Sequence, residues 1–363
     1  MLEFRQSSVH CTLAEVDTLS FSSNLVDRSV SRNEVIARNI LVDLMQFRRV
    51  CGPQTDCALS PCESCLEPHL AKIISAVNQN QTVTFVLPAF PGKSPNLEKV
   101  LGILPDMAER QALLFLQGLC DRIQNLYAPG AHIILCSDGR VFSDVVGMRD
   151  EDVTAYQREL TRMIKELDLS SISTFDLDDL YEGLNFDEMR ARLMTVYGEP
   201  LDVLKAAVSR GGKLSGFSVE DEESNRLYCG ITRFLVEDST FPGQKRSRTS
   251  IQKECRTRAY HVIQRSKAWG DQLEARFPDA VRLSIHPQTC GAKKLGIQLV
   301  TPDAWLTPWH GVAVKIGEKF VLLKRAKAEA LGARLVTLDG RPSHYEMIGG
   351  LARLKLTGAR DEN

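Results

Sequence analysis

The sequence predicts an α/β protein: a mostly parallel sheet flanked by helices, preceded by an N-terminal helical extension. Three observations carry this expectation. VTFVL (Val83 to Leu87) and AHIILC (Ala131 to Cys136) are short apolar runs of the kind that form strands buried on both faces. Between them a helical stripe places Leu113, Leu116, Cys120, Ile123 and Tyr127 on one side. Strand, helix and strand in that order build a parallel sheet, because the helix supplies the crossover.

In chain order, residues 1 to about 30 are polar and irregular and read as an arm. Arg32 to Val50 spaces Val35, Ile36, Ile40, Leu41 and Leu44 as a helix. A cysteine-rich loop follows, then EPHLAKIISAVNQN as a second helix ending near Asn78; residues 1–80 thus form the extension. Beyond the first strand, Asn96 reads as the N-cap of a helix over LEKVLGIL, and Pro105-Asp106 breaks that helix and restarts it. EDVTAYQRELTRMIKEL is an amphipathic helix, and DLDDLYEGLNFDEMRARLMTVYG is acidic and then helical. SRGGKLSGFSVEDEESN, rich in Gly, Ser and charge, reads as a linker or mobile loop. A long helix ends near Phe277. Four strand patterns follow: VRLSIHP, KLGIQLV, HGVAVKI and ARLVTL. Residues 81–345 make the sheet domain and 346–363 a tail.

A chain of 363 residues with 43% apolar and 25% charged residues is ordinary for a soluble globular protein. Its net charge of −1 gives no reason to expect nucleic acid or a membrane surface as partner. The one basic run, Lys245 to Arg258, reads as a solvated loop and helix face. No apolar run is long enough to span a bilayer, and MLEFRQSSVHCTLAEVD lacks a signal-peptide core, so a cytoplasmic protein is the default. Of ten cysteines, Cys120 and Cys136 sit in apolar contexts as small core residues. Cys51, Cys57, Cys62, Cys65 and His69 cluster. Cys57, Cys62, Cys65 and His69 can supply four zinc ligands. Zinc sites usually pair two Cys-x-x-Cys knuckles and here there is one, so free thiols in a loop are expected and no metal is assigned.

FPGKSPN (Phe90 to Asn96) ends as a Walker loop ends, in Gly92-Lys93-Ser94. The glycine required five positions earlier is Leu87, and Pro88, Pro91 and Pro95 remove backbone N–H groups that would cradle phosphates. The spacing and the prolines argue against a nucleotide P-loop here. Strand, loop and helix N-terminus still make an anion site, against a plain proline-rich turn with a surface lysine.

Four loops flanked by apolar strands carry charged or imidazole groups: FPGKSPN, SDGRVFSD (Ser137 to Asp144), RLSIHPQ (Arg282 to Gln288) and TPWHGV (Thr307 to Val312). Lys93 and Arg140 are suited to phosphate. Asp138 and Asp144 are suited to sugar hydroxyls or to base chemistry, and His286 and His310 to proton transfer. Each has a plainer reading, as turn residue or hydrogen-bonded structural group. No G-x-G-x-x-G follows a strand, and there is no G-x-S-x-G, H-E-x-x-H or H-x-D.

FVLPAFPGKSPN, KVLGILPDMAE, PGAHIILCSDGRVFSD, RLSIHPQ and TPWHGV, in that order from Val83 to about Val314, resemble the pyoverdine/dityrosine biosynthesis family, the isonitrile synthases. The resemblance implies a Rossmann-like fold and a cofactor-independent enzyme. It would join tyrosine or tryptophan to ribulose 5-phosphate, keeping the amino nitrogen and turning C2 of the sugar into the isonitrile carbon. On that footing Lys93, Ser94 and Asn96 contact the phosphate, and Arg140 the phosphate or the amino-acid carboxylate. Asp138 and Asp144 orient sugar hydroxyls, His286 and His310 exchange protons, and Lys99 and Arg282 give electrostatic support. A Schiff base on Lys93 ranks lower, since the amino acid brings its own amine. An iron- and 2-oxoglutarate-dependent oxygenase is the implied pathway partner. The alternatives are a related branch making an N-formyl or dityrosine-type product, and a non-enzymatic phospholigand-binding or zinc-stapled regulator. Trp309, Phe142 and Tyr156 suit an aromatic pocket or the core equally.

Overall fold

Two helices, α1 (Arg32–Met45) and α2 (Glu63–Asn78), form the N-terminal extension and pack on each other. Ser31 caps α1 by accepting from the Glu34 N–H, and Ala37, Ile40, Leu41 and Leu44 are the buried stripe. The computed structural model describes residues 31–51, 57, 60–213, 218–300 and 306–347; the expected arm lies outside them, as does the expected tail beyond Met347.

The chain then alternates strand and helix: β1 (Val83–Leu87), α3 (Met107–Leu126), β2 (Ala131–Cys136), α4 (Gly139–Val146), α5 (Asp150–Glu166) and β3 (Ile172–Phe175). Helices α6 (Phe186–Tyr197), α7 (Leu201–Gly211), α8 (Val219–Asp238) and α9 (Arg248–Arg276) intervene before β4 (Val281–Ser284) and β5 (Leu295–Gly296). These five strands form one parallel sheet in the order β3-β2-β1-β4-β5. This is the expected mostly parallel sheet flanked by helices. Strand alternation splits the core in two. Val83, Phe85 and Leu87 join one apolar cluster with α1, α2, α3 and α5, while Val86 points into another with α4, α6 and α9. A second sheet, β7-β6-β9-β8, is built from β6 (Val312–Ile316), β7 (Lys319–Leu323), β8 (Arg334–Leu338) and β9 (Arg341–Glu346), with α10 (Arg325–Ala330) before β8. It meets the first domain layer through Ala108 of α3, packed with Ala313 and Leu322. Among the described residues no helix is long and apolar enough to cross a membrane.

Three local expectations are corrected. LEKVLGIL is not helical: turns carry the chain to Met107, where Asp106 and Glu109 form a capping box. Pro95, Gly102 and Pro105 leave too few residues between breakers to nucleate a helix. SDGRVFSD is not a loop, because α4 starts at Gly139. The linker shrinks, since α7 runs to Gly211 and α8 begins at Val219 behind a Ser218 cap. Helix α7 and strands β3, β7 and β9 were not among the expected elements.

Candidate active site

Strand β1 has β2 on one side and β4 on the other, so the chain order reverses there and the loops leaving β1 and β4 part from each other. In open parallel sheets the crevice at the carboxyl ends of such strands is where ligands bind. Phe90, three residues past β1, adopts φ 60°, a left-handed conformation costly for an aromatic residue. It is held by its carbonyl, which accepts from Ser137 Oγ at 2.9 Å and Gln157 Nε2 at 2.7 Å, and by its ring, 5.3 Å from that of Trp309. A Cβ at Gly139 would come within 1.9 Å of the Pro91 carbonyl, so only glycine lets α4 start so close to the β1 loop.

The Gly92-Lys93-Ser94 segment turns inward. Lys93 Nζ lies 2.8 Å from Asp106, 2.7 Å from Glu109 and 3.1 Å from the Pro308 carbonyl, with its side chain fully buried. Burial disfavours the ammonium, but the two carboxylates outweigh it and hold the lysine pKa above its usual range. Burial pushes Glu109 up to about 7 despite Lys93, and Tyr156 donates to it at 3.2 Å. Ser94 Oγ donates to Asp238 at 2.9 Å. Asn96 donates to the carbonyls of Glu237 and Thr240, tying off the last turn of α8. These three side chains therefore serve internal partners in this structure.

Around Asp238 a compact charged group forms. Lys99 contacts it, and His310 Nε2 lies 3.6 Å away. His310 Nδ1 pairs with Thr307 Oγ1 at 3.0 Å, and Phe234 meets the imidazole edge-on at 5.2 Å. Burial works to raise the Asp238 pKa, but His310 and Lys99 prevail and hold it below the ordinary carboxylate range. Ser94, Lys99 and His310 are thus brought together by a residue that sequence reasoning missed. Asp238 ends a helix on a stretch with no strand beside it, so no signal marked it.

Asp138 and Arg282 form a second group across β1. Asp138 follows β2 and Arg282 lies in β4, and each carries a buried atom, Oδ1 and Nη1, without a hydrogen-bond partner. Burial pushes Asp138 up to about 7, with Arg282 pulling the other way. Desolvation lowers Arg282 from the usual arginine value. His286 follows β4. Its ring is open to solvent, yet crowding by surrounding protein lowers its pKa, and the charges of Arg49, Lys294 and His310 add to this; water at the ring moderates the effect. The two histidines are therefore close enough to feel each other. Lys294 is also lowered, by crowding and by Arg282, and like Arg49 it was not expected here.

Arg140 and Asp144 lie elsewhere. Arg140 binds Asp176 at 2.9 Å and stacks over Phe186 at 4.7 Å. Asp144 is paired with Arg265 and lies 3.5 Å from Arg190, in a network joining α4, α6 and α9. Partial burial opposes ionisation of Asp144, but these arginines hold its pKa down. Phe142, Tyr156 and Trp309 are core residues. A cleft of about 270 Å³ is lined by Gly92, Lys93, Ser94, Leu97, Ile103, Met148 and Val153; Ser94 joins it to the Asp238 group, while Asp138, Arg282, His286 and His310 do not line it. Among the described residues, those brought together as possible metal ligands are Cys57, Cys62, Cys65 and Cys290; His69 is not in that group.

The sequence and the fold both have known relatives. Residues 73–336 match the family model of the pyoverdine/dityrosine biosynthesis protein. The chain is 44% identical to an L-tryptophan isonitrile synthase of Fischerella ambigua, over 87% of this chain and 93% of that one. It is 46% identical to an L-tyrosine isonitrile synthase of Pseudomonas aeruginosa, over 78% and 85% of the two chains. The crystal structure of the PvcA protein from Pseudomonas aeruginosa superimposes with a TM-score of 0.79 at 43% identity, covering 86% of this chain and 100% of that one.

Proposed function

The chain belongs to the pyoverdine/dityrosine biosynthesis family, and from that premise we propose that it is an isonitrile synthase acting on the α-amino group of tyrosine or tryptophan. In this reading ribulose 5-phosphate supplies the carbon and no cofactor is needed. The observation that carries it is the pair of sealed, unpartnered atoms, Asp138 Oδ1 and Arg282 Nη1, on either side of β1. A buried polar atom without a partner is costly, and a polar ligand seated between them would relieve both.

The α-amine must lose a proton before it attacks the ketone at C2. His286, with its lowered pKa, is neutral at pH 7 and open to solvent, which suits a base. Attack gives a carbinolamine, which must lose its hydroxyl as water to become an imine. Asp138, titrating near 7, has a transferable proton for that step. The Asp238 carboxylate offsets positive charge on His310, which serves the later proton transfers that accompany carbon–carbon cleavage and elimination. Arg282 and Lys294 repel each other, and among the described residues neither has an ion-pair partner within 4.0 Å. They therefore suit the sugar phosphate and the amino-acid carboxylate. Lys93, Ser94 and Asn96 then act by holding the β1 loop in place, and Arg140 and Asp144 by fixing α4. A dedicated oxygenase would process the isonitrile product.

The test is to incubate the purified protein with ribulose 5-phosphate and either amino acid, trap the product with a tetrazine and read it by mass spectrometry. A trapped isonitrile from one amino acid is expected. Folded protein that yields none from either would overturn the assignment.

A further inference from the structure

We propose that Cys57, Cys62, Cys65 and Cys290 form a tetrahedral zinc site that staples the N-terminal extension to the loop carrying His286. The four sulfurs all lie within 4.8 Å of one another. Cys62 Sγ is 3.7 Å from Cys65 Sγ and 3.4 Å from Cys290 Sγ, and Cys65 Sγ is 3.4 Å from Cys290 Sγ. Zinc–sulfur bonds of about 2.3 Å in a tetrahedron put sulfurs about 3.8 Å apart, close to this spacing. A disulfide needs about 2.05 Å, so these contacts are not disulfides. An iron–sulfur cluster, with its own sulfides inside, would hold the thiolates further apart.

The surroundings are built for thiolates. Cys62 is the N-cap of α2 and Cys65 lies in its first turn, where the helix dipole favours negative charge. The Cys65 N–H donates to the Cys62 carbonyl at 2.9 Å, which holds the two cysteines in the same turn. Gly291, just after Cys290, has φ 76°, which lets the chain fold round that thiol. No second Cys-x-x-Cys was visible because the fourth ligand comes as a single cysteine from a loop far along the chain. That loop is already drawn to the extension: Cys51 N donates to Gln288 O, and Gln288 N to Arg49 O, each at 3.0 Å. The bound zinc is structural. It closes its four positions with thiolates and leaves none for substrate. The site is independent of the activity assigned above.

The test begins with wild-type protein purified without chelator under reducing conditions. Elemental analysis is expected to give about one zinc per chain, and a mercurial that titrates the thiols is expected to release it. Protein stripped under denaturing conditions and refolded with Co²⁺ is expected to show the visible absorption of tetrahedral cobalt thiolate. Cys290→Ser is expected to lower metal content and melting temperature together. Cys229→Ser, at an exposed position of α8, is expected to change neither. Wild-type protein that carries no zinc and takes up neither zinc nor cobalt would overturn the proposal. So would metal that survives intact in both Cys65→Ser and Cys290→Ser.

Discussion

Individual side chains divide into those facing an open crevice and those spent inside the protein. His286 belongs to the first kind: its ring is exposed, so truncation removes no core. His286→Ala is expected to keep the wild-type circular dichroism and melt while losing about 10²- to 10⁴-fold in kcat. Near-normal turnover would remove it from the mechanism. Asp138 makes a prediction of opposite character. Its folded pKa of about 7 lies above the ordinary 3.8. The native chain therefore keeps a proton that the unfolded chain has released, and the stability this gives is complete below about pH 4 and lost as pH rises through 7. Asp138→Asn removes that penalty. The variant is expected to be slow in turnover yet more stable than wild type at pH 8, with the gap closing toward pH 4 in urea melts. Parallel stability profiles for the two proteins would refute the raised pKa. Both residues were legible in the sequence, because each follows an apolar strand. Asp238 was not: its role depends on the end of α8 reaching Lys99 and His310, a contact no local pattern encodes.

The strands, helices and loops show the same division. Strands β1 and β2 and helices α3, α5 and α9 were readable because apolar period and length agree with burial. The β1 loop was readable only as a motif. Its lysine, serine and asparagine have the chemistry of phosphate ligands, but Pro91 and Pro95 bend the segment so that the helix expected after it never forms. The same side chains then satisfy α3 and α8. A test separates the two roles of Lys93. If it links the β1 loop to the start of α3, Lys93→Met strands Asp106 and Glu109 in the interior. It should then cost about 3–5 kcal/mol in urea unfolding. A pure phosphate ligand would instead fold normally and show only a raised KM for the sugar phosphate. The cysteine cluster was legible only in part: Cys57, Cys62 and Cys65 read as possible ligands beside His69, while Cys290 is delivered by the loop after β4 and no local spacing points to it.

At the scale of the whole molecule, burial is concentrated at the middle of the parallel sheet. Val83, Phe85, Leu87, Ile133 and Leu135 are sealed by helices of one layer and Val86 and Cys136 by those of the other. Helix α7, by contrast, buries only Leu204 and Val208. Native-state hydrogen exchange is expected to open α7 and the first turns of α8 at a small fraction of the global free energy, while β1 and β2 exchange only by complete unfolding. Equal protection in the two regions would contradict this picture. The position of β1 in the strand order has a consequence for biosynthesis. Its first partner, β2, follows after a single crossover helix, but its second, β4, is translated only after six more helices: Phe85 waits for Val281. Until then the most apolar strand of the enzyme is an open edge, able to pair with any other nascent chain. Productive folding on the ribosome thus depends on how long that edge stays covered, and heterologous yield is set by chaperone capacity and translation speed as much as by the stability of the finished protein.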